Sequence, residues 1–331
     1  MKLKGSRHFR ERLVLSTLSG TPISIEEIRA DETWPGLRSH EIKLLRLIEE
    51  ISDGGAVVLN ETGTKLKYTP GVIICGKRYD AFDCGLSRSI GYFLEPLIVL
   101  GLFGKKSFEI KLNGITNDSK DPIVDTFRST TLNILKRFGI DSEGVDLKIV
   151  NRGAPPLGGG EVILKVPMVE SSLSAVTWID EGMIIKMEIK LENLLDLVYH
   201  WSLRPHQGAS SLLILQLAMQ EGGNDEDDER EELMPPEEIG EQAASMLLGE
   251  IEQGGVVDSR HQGLLFLLCA LCPQDVSKVR VGKLSPYAIE TLRHIRDFLG
   301  VKFVITPDPS TETVILKCLG CGLKNLSRKF S

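Results

Sequence analysis

Two cysteine pairs, Cys269-Ala-Leu-Cys272 and Cys318-Leu-Gly-Cys321, have the CxxC spacing from which a tetrahedral thiolate zinc site is built. Against a metal, 45 residues separate the pairs, and the first lies in the apolar run Leu264–Cys272. A thiol in such a run packs as a small hydrophobe, so free cysteines and no metal are expected. Gly158-Gly159-Gly160 has the look of a phosphate cradle but lacks the following Lys-Ser/Thr and helix of a P-loop. A tight bend between hairpin strands is the simpler reading. The six histidines (8, 40, 200, 206, 261 and 294) include no i,i+4 metal pair. His294 is expected on the surface of its helix. His261, between Arg260 and Gln262, is the best placed for chemistry, and a structural hydrogen bond is its plainer use.

The elements that must position these residues recur. Leu264–Leu271 reads as an apolar helix, Val276–Gly282 as a strand, Ser285–Leu299 as a second helix, and Val301–Ile305 with Glu312–Lys317 as a hairpin. In the second helix Ile289, Leu292, Ile295 and Phe298 follow helical spacing, Ser285-Pro286 starts it, and Gly300 stops it. The same order appears near the N-terminus. Phe9–Leu18 is a helix, Pro22–Arg29 a strand, Ser39–Ser52 an amphipathic helix, and Val57–Asn60 with Lys65–Thr69 a hairpin. It appears again as helix Leu94–Leu102, strand Ser107–Asn113, helix Asp121–Phe138, and the hairpin Asp146–Val150 with Glu161–Val166.

The apolar starts Leu13, Leu97 and Leu265 lie 84 and 168 residues apart, so an insertion interrupts the third copy. That copy continues past Leu191–Glu232 into Pro235–Gln253, a helix with Ile239, Ala243, Met246 and Leu247. Sheets that bury one face against their helices predict a pseudo-threefold α+β body. The units are 1–80, 81–168, and 169–183 with 234–331, and 184–233 is the insert with its acidic linker.

With 331 residues, 42 % of them hydrophobic, the chain can bury a large core. No 18-residue apolar run exists, and Met1–Arg12 is basic without an apolar stretch, which predicts no membrane partner and a cytosolic or nuclear site. Of the net charge of −7, Asp225–Glu232 carries −6. That run is expected to be a solvated linker, and the remainder is near neutral and free to present a basic face. Candidate RNA-binding groups are Arg7, Arg10 and Arg12 near the N-terminus, Arg38, Arg260 with His261, Lys278, Arg280 and Lys283 around one strand, and Arg328 and Lys329 near the C-terminus.

Several ordered segments resemble the RNA 3′-terminal phosphate cyclases and, more closely, their cyclase-like ribosome-assembly relatives in eukaryotes. They are Gly20-Thr21-Pro22, Ile28-Arg29-Ala30, Trp34-Pro35-Gly36-Leu37, Asn113–Asn117, Arg152–Glu161, Asp180–Met183 and Gly254–Asp258, within about 290 residues. The resemblance implies an α+β fold of three tandem repeats, each of two helices on a four-stranded sheet, with a small insert domain in the third. Enzymes of the family join AMP to a nucleophilic His and pass it to an RNA 3′-phosphate, which then cyclises. Here Tyr287 falls at the nucleophile position, and a phenol with a pKa near 10 is a poor replacement.

Other positions of the cyclase site fail as well. The cyclases' Glu-Gly-Gly-Gly-Gln falls on Leu3-Lys4-Gly5-Ser6-Arg7, with Arg10 the one retained basic position. The Arg and His after Pro-Gly-Leu fall on Ser39 and Glu41, and Ala-Asp-Gln becomes Arg260-His261-Gln262. Adenylation is therefore not expected. The resemblance implies instead a non-catalytic nucleolar factor in pre-rRNA processing and 18S rRNA maturation. It would act without a cofactor, bound to an assembly GTPase, pre-rRNA and the small-subunit processome. A site-specific pre-rRNA endonuclease and a retained cyclase are the alternatives.

Glu192–Gln220 departs from the family's insert, which continues with a Lys-Ser-Pro-Gly turn and Ala-Glu-Thr-Thr. Permitted codons read from the third base of Glu192 give Lys-Ser-Pro-Gly-Leu-Gly-Leu-Ser-Leu-Val-Ala-Glu-Thr-Thr. The insert is therefore expected to be a truncated, frameshifted or misspliced reading of the gene, which a transcript sequence tests. The other reading is a genuine replacement helix that docks a partner.

Overall fold

A computed structural model describes residues 1–76, 78–118, 120–140, 144–180, 183–193, 196–204, 211–217 and 236–325. The first unit runs β1 (Lys2–Lys4), α1 (Phe9–Ser19), β2 (Ile23–Glu26), α2 (Ser39–Ile51), β3 (Ser52–Asp53), β4 (Ala56–Leu59), β5 (Leu66–Thr69) and β6 (Val72–Ile73). The second runs β7 (Arg78–Ser89), α3 (Gly91–Leu102), β8 (Phe108–Ile115), a helix made of α4 (Val124–Thr126), a π-helical turn (Phe127–Thr131) and α5 (Leu132–Arg137), then β9 (Asp146–Asn151) and β10 (Gly160–Val166). The third opens with β11 (Thr177–Trp178). It resumes, after β12 (Met183–Asn193), β13 (Asp196–Arg204), β14 (Ser211–Leu217) and α6 (Pro236–Gln253), as α7 (Gln262–Leu271), β15 (Val276–Val281), α8 (Pro286–Leu299), β16 (Phe303–Asp308) and β17 (Thr313–Leu319).

Three four-stranded sheets share one topology: β1-β2-β5-β4, β7-β8-β10-β9 and β11-β15-β17-β16. In each, the first pair is parallel and the others antiparallel. The chain is thus an α+β protein whose repeated motif is strand, helix, strand, helix, hairpin. The leading strand of each sheet escapes a sequence reading for a physical reason. Lys2–Lys4 and Thr177–Trp178 are too short for an alternating pattern, and Arg78–Ser89 is largely polar.

Two kinds of helix fill the layers. All ten residues of α7 are buried, and α3 buries all but Glu95 of its twelve, as expected of helices that are apolar on every side. Each fully buried Leu in them contributes about 1.5–3 kcal/mol. By contrast, α2 and α8 keep a polar face. On α8 the buried side is Ala288, Thr291, His294, Ile295 and Phe298, while Ile289 is exposed. Of the expected stripe, Ile295 and Phe298 are buried, Leu292 packs against the core and Ile289 alone turns outward, while His294 is buried instead of on the surface. Its partner explains this: His294 Nδ1 lies 3.3 Å from the buried carboxylate of Glu11 on α1.

One apolar cluster runs from Phe9 to Cys318 and joins the three units. Cys269, Cys272 and Cys318 are buried in it, all six cysteines are free, and no group of three or more metal-ligating side chains occurs among the described residues. Gly158 and Gly159 have φ of 69° and 85° and turn the chain where Ala154 bridges Gly158, so the glycine run is a bend. The insert's backbone is an antiparallel sheet, β12-β13-β14, where a replacement helix was the sequence alternative.

Candidate functional site

The helix starts meet at a cleft of about 430 Å³ whose lining includes Ser6, His8, Arg10, Arg29, Tyr92 and Tyr287. His8 occupies the N-cap position of α1 in the left-handed region, with φ 55°, and its Nδ1 lies 3.5 Å from Glu11 of the first turn. Tyr287 enters from α8, whose start is fixed by the Ser285 hydroxyl accepting the Ala288 N–H at 3.2 Å. Tyr92 comes from α3, and His40 and Glu41 from α2.

Each arginine lining the cleft faces a carboxylate. Arg29 donates from both terminal nitrogens to Glu41, at 2.8 and 2.9 Å. Arg88 donates Nε–H to Asp121 at 2.6 Å and a second bond from Nη2. Arg10 reaches Glu95 at 3.2 Å and the Tyr92 carbonyl at 3.3 Å. The guanidiniums of Arg10 and Arg88 also lie 5.2 and 4.8 Å from the centre of the Tyr92 ring. The Arg29 and Arg88 forks hold their carboxylates in the bidentate geometry that also suits phosphate, and Arg10 is paired with Glu95 through one bond, so the positive charge of each is already matched.

Tyr287 is a poor nucleophile here. Burial and the negative charges of Glu95 and Glu11 push its phenol well above its usual value of 10. Its ring lies 5.2 Å from that of His8. Glu11 carries a carboxylate between two imidazoles, His8 at 3.5 Å and His294 at 3.3 Å. Burial opposes its charge, and the two histidines outweigh that and lower its pKa.

His261 is enclosed. Nδ1 lies 2.7 Å from Asp258 Oδ2, and Nε2 lies 3.3 Å from Thr131 of the π-helical turn. Asp258 also accepts the backbone N–H groups of Arg260 and His261, at 2.9 and 3.0 Å. Burial opposes the imidazolium, but Asp258 raises its pKa. This is a structural clamp between the second and third units.

The basic candidates divide. Arg7, Arg260 and Lys283 are exposed, and the last two lie beside Ser259 and Ser285, where the Ser285 hydroxyl donates to the Ser259 carbonyl at 3.2 Å. The loops carrying the last two are tied by Gln262, which donates to the Lys283 carbonyl at 2.9 Å and accepts the Ser285 N–H at 3.0 Å. Arg10 lies inside the cleft. Three others are spent on the fold. Arg12 donates to the carbonyls of Lys4 and Gly5, Arg38 to Glu32 and the Trp34 carbonyl, and Arg280 to the Ile179 carbonyl, Asp308, Thr311 and Thr313. Lys278 sits within β15, opposite Lys317. Arg328 and Lys329 lie outside the described residues.

Sequence reasoning did not select Arg29, Arg88, Tyr92 or Asp121 as site residues. A usable signal existed, since the 84-residue interval that aligns Leu13 with Leu97 also sets Tyr92 opposite His8, both at helix starts.

Residues 1–305 match the family described as RNA 3'-terminal phosphate cyclase, and the chain belongs to that family. A probable RNA 3'-terminal phosphate cyclase-like protein of Arabidopsis thaliana is 54 % identical over 374 residues, covering 100 % of this chain and 99 % of that protein. The human RNA 3'-terminal phosphate cyclase-like protein is 38 % identical over 368 residues, 98 % and 96 % of the two chains. The rRNA processing protein rcl1 of Schizosaccharomyces pombe is 30 % identical over 358, covering 99 % and 98 %. The 374 aligned positions exceed this chain's 331 residues by 43, so the Arabidopsis relative has sequence with no counterpart here.

Proposed function

We propose that this chain is a non-catalytic cyclase-fold factor of pre-rRNA processing, acting in small-subunit (18S) maturation in the nucleolus with pre-rRNA and an assembly GTPase as partners. The observation that carries it is the buried, ring-packed phenol of Tyr287 in the cleft, at the position that the sequence resemblance gives to the cyclases' nucleophile. Around it the forks of Arg29 and Arg88 are taken by Glu41 and Asp121, and Arg10 is paired with Glu95, so a triphosphate meets matched charge. The rRNA-processing name of the S. pombe relative supports the biological setting. RNA binding falls to the exposed Arg7, Arg260 and Lys283.

An endonuclease alternative that used His261 as an acid or base would have to draw on a ring held between Asp258 and Thr131. The reading is tested by incubating purified protein with labelled ATP and with a pre-rRNA fragment. Salt-sensitive RNA binding without a protein–AMP adduct or cleavage is expected. A covalent adduct, or cutting lost in His261→Ala, would reverse it.

A further inference from the structure

On the outward face of the third sheet two lysines stand directly opposite one another, Lys278 of β15 and Lys317 of β17. Strand alternation turns Ser277, Val279, Leu316 and Cys318 into the core and the lysines away from it. Like charges at directly opposed positions destabilise a sheet. The first two sheets avoid this. There Lys65 pairs with Glu26 at 2.6 Å, Lys111 pairs with Glu161 at 2.7 Å, and Lys165 sits opposite Glu109. In the third sheet Asp308 is taken by Arg280 at 2.9 Å, and among the described residues no carboxylate pairs with Lys278 or Lys317.

The same face is apolar beside the lysines. Val276 and Leu319 oppose each other, each 55 % exposed, and Val304 of β16, 64 % exposed, opposes Lys317. Exposed aliphatic side chains grouped around unmatched cations are the composition of a contact surface. None of these residues is aromatic, so the face offers nucleobases no stacking platform.

We propose that this face docks an acidic segment of a partner protein, whose carboxylates pair with Lys278 and Lys317 and whose apolar side chains cover Val276, Val304 and Leu319. The occupant follows from charge complementarity. A carboxylate entering between the two ammonium groups gains their attraction and relieves their mutual repulsion. The inference stands whether or not Arg7, Arg260 and Lys283 hold RNA.

The test is fluorescence anisotropy of the full chain with a labelled peptide in which Asp and Glu alternate with Leu and Val, against a matched peptide with Lys in place of the acids. The acidic peptide is expected to bind, and Lys278→Ala/Lys317→Ala to weaken it at least about tenfold. Lys278→Glu/Lys317→Glu is expected to transfer binding to the basic peptide. Lys317→Glu alone sets opposite charges across the strands. It is expected to raise the unfolding midpoint while weakening the acidic peptide, which separates lost docking from lost folding. Equal affinity for the two peptides, or acidic-peptide binding unchanged in the double alanine variant, would overturn the proposal. So would single-stranded RNA binding or self-association that this variant abolishes, since either puts another occupant on the face. Acidic-peptide binding that appears only when Asp225–Glu232 is replaced by Gly and Ser would overturn it in favour of the chain's own acidic run.

Discussion

The ring of Tyr287 on α8 lies against that of His8 at the start of α1, with centroids 5.2 Å apart and planes at 30°. This contact joins the third unit to the first. It also leaves little room: a Cβ added at Gly263 would sit 2.7 Å from Tyr287 Cε1. Gly263→Ala should therefore push the ring from its site and cost about 1–3 kcal/mol in denaturant unfolding. Tyr287→Phe removes only the hydroxyl and should unfold within about 1 kcal/mol of the natural protein.

The Arg88–Asp121 pair makes a second stability claim. Asp121→Ala leaves a guanidinium facing the cleft without its carboxylate. The loss should be about 2–4 kcal/mol, below that of a fully buried pair because Arg88 is partly exposed. Equilibrium urea unfolding measures it, and a change below about 0.5 kcal/mol would show that the pair is not a structural tie.

Two histidines give stability opposite dependences on pH. Burial, aided by Arg88 and opposed by Glu41, holds His40 down to about 4. Between its ordinary 6.5 and about 4 the unfolded chain takes a proton that the folded chain refuses, so stability falls as pH falls through that window. His40→Gln should lose less stability than the natural protein between pH 7 and pH 5. His261 is raised above 6.5, so its contribution is complete below 6.5 and is lost as pH rises through the raised value. The stability deficit of His261→Gln should accordingly be larger near pH 6 than near pH 9.

The proposed RNA binding through Arg260 and Lys283 carries a salt signature. If Arg260 and Lys283 each hold one phosphate of single-stranded pre-rRNA, replacing either by Ala lowers the slope of log K against log salt by about 0.7. Arg280→Ala, whose guanidinium is spent on Ile179, Asp308, Thr311 and Thr313, should lower stability and leave that slope unchanged.

The second helices and hairpins were legible because their apolar spacing, caps and stop glycines are local. Ser285-Pro286 and Gly300 bound α8 as their residue types require. What stayed hidden depends on contacts far apart in the chain. Nothing near His294 announces Glu11, 283 residues earlier, whose carboxylate draws the imidazole inward. The cleft was legible at Tyr287, through alignment with a known pattern, and not at Arg29 or Arg88. Their roles come from Glu41 and Asp121, which are ordinary surface residue types until the fold brings each to its arginine.

In the proposed role the chain serves pre-rRNA processing through its surface and without chemistry at Tyr287. Replacement of the endogenous protein by variants, with precursor and mature 18S rRNA quantified, tests it most directly. Tyr287→Phe should restore normal 18S levels, whereas joint charge reversal of Arg7, Arg260 and Lys283 should let precursors accumulate. Failure of Tyr287→Phe to restore processing while folding normally, or full rescue by the charge-reversed rim, would contradict the account.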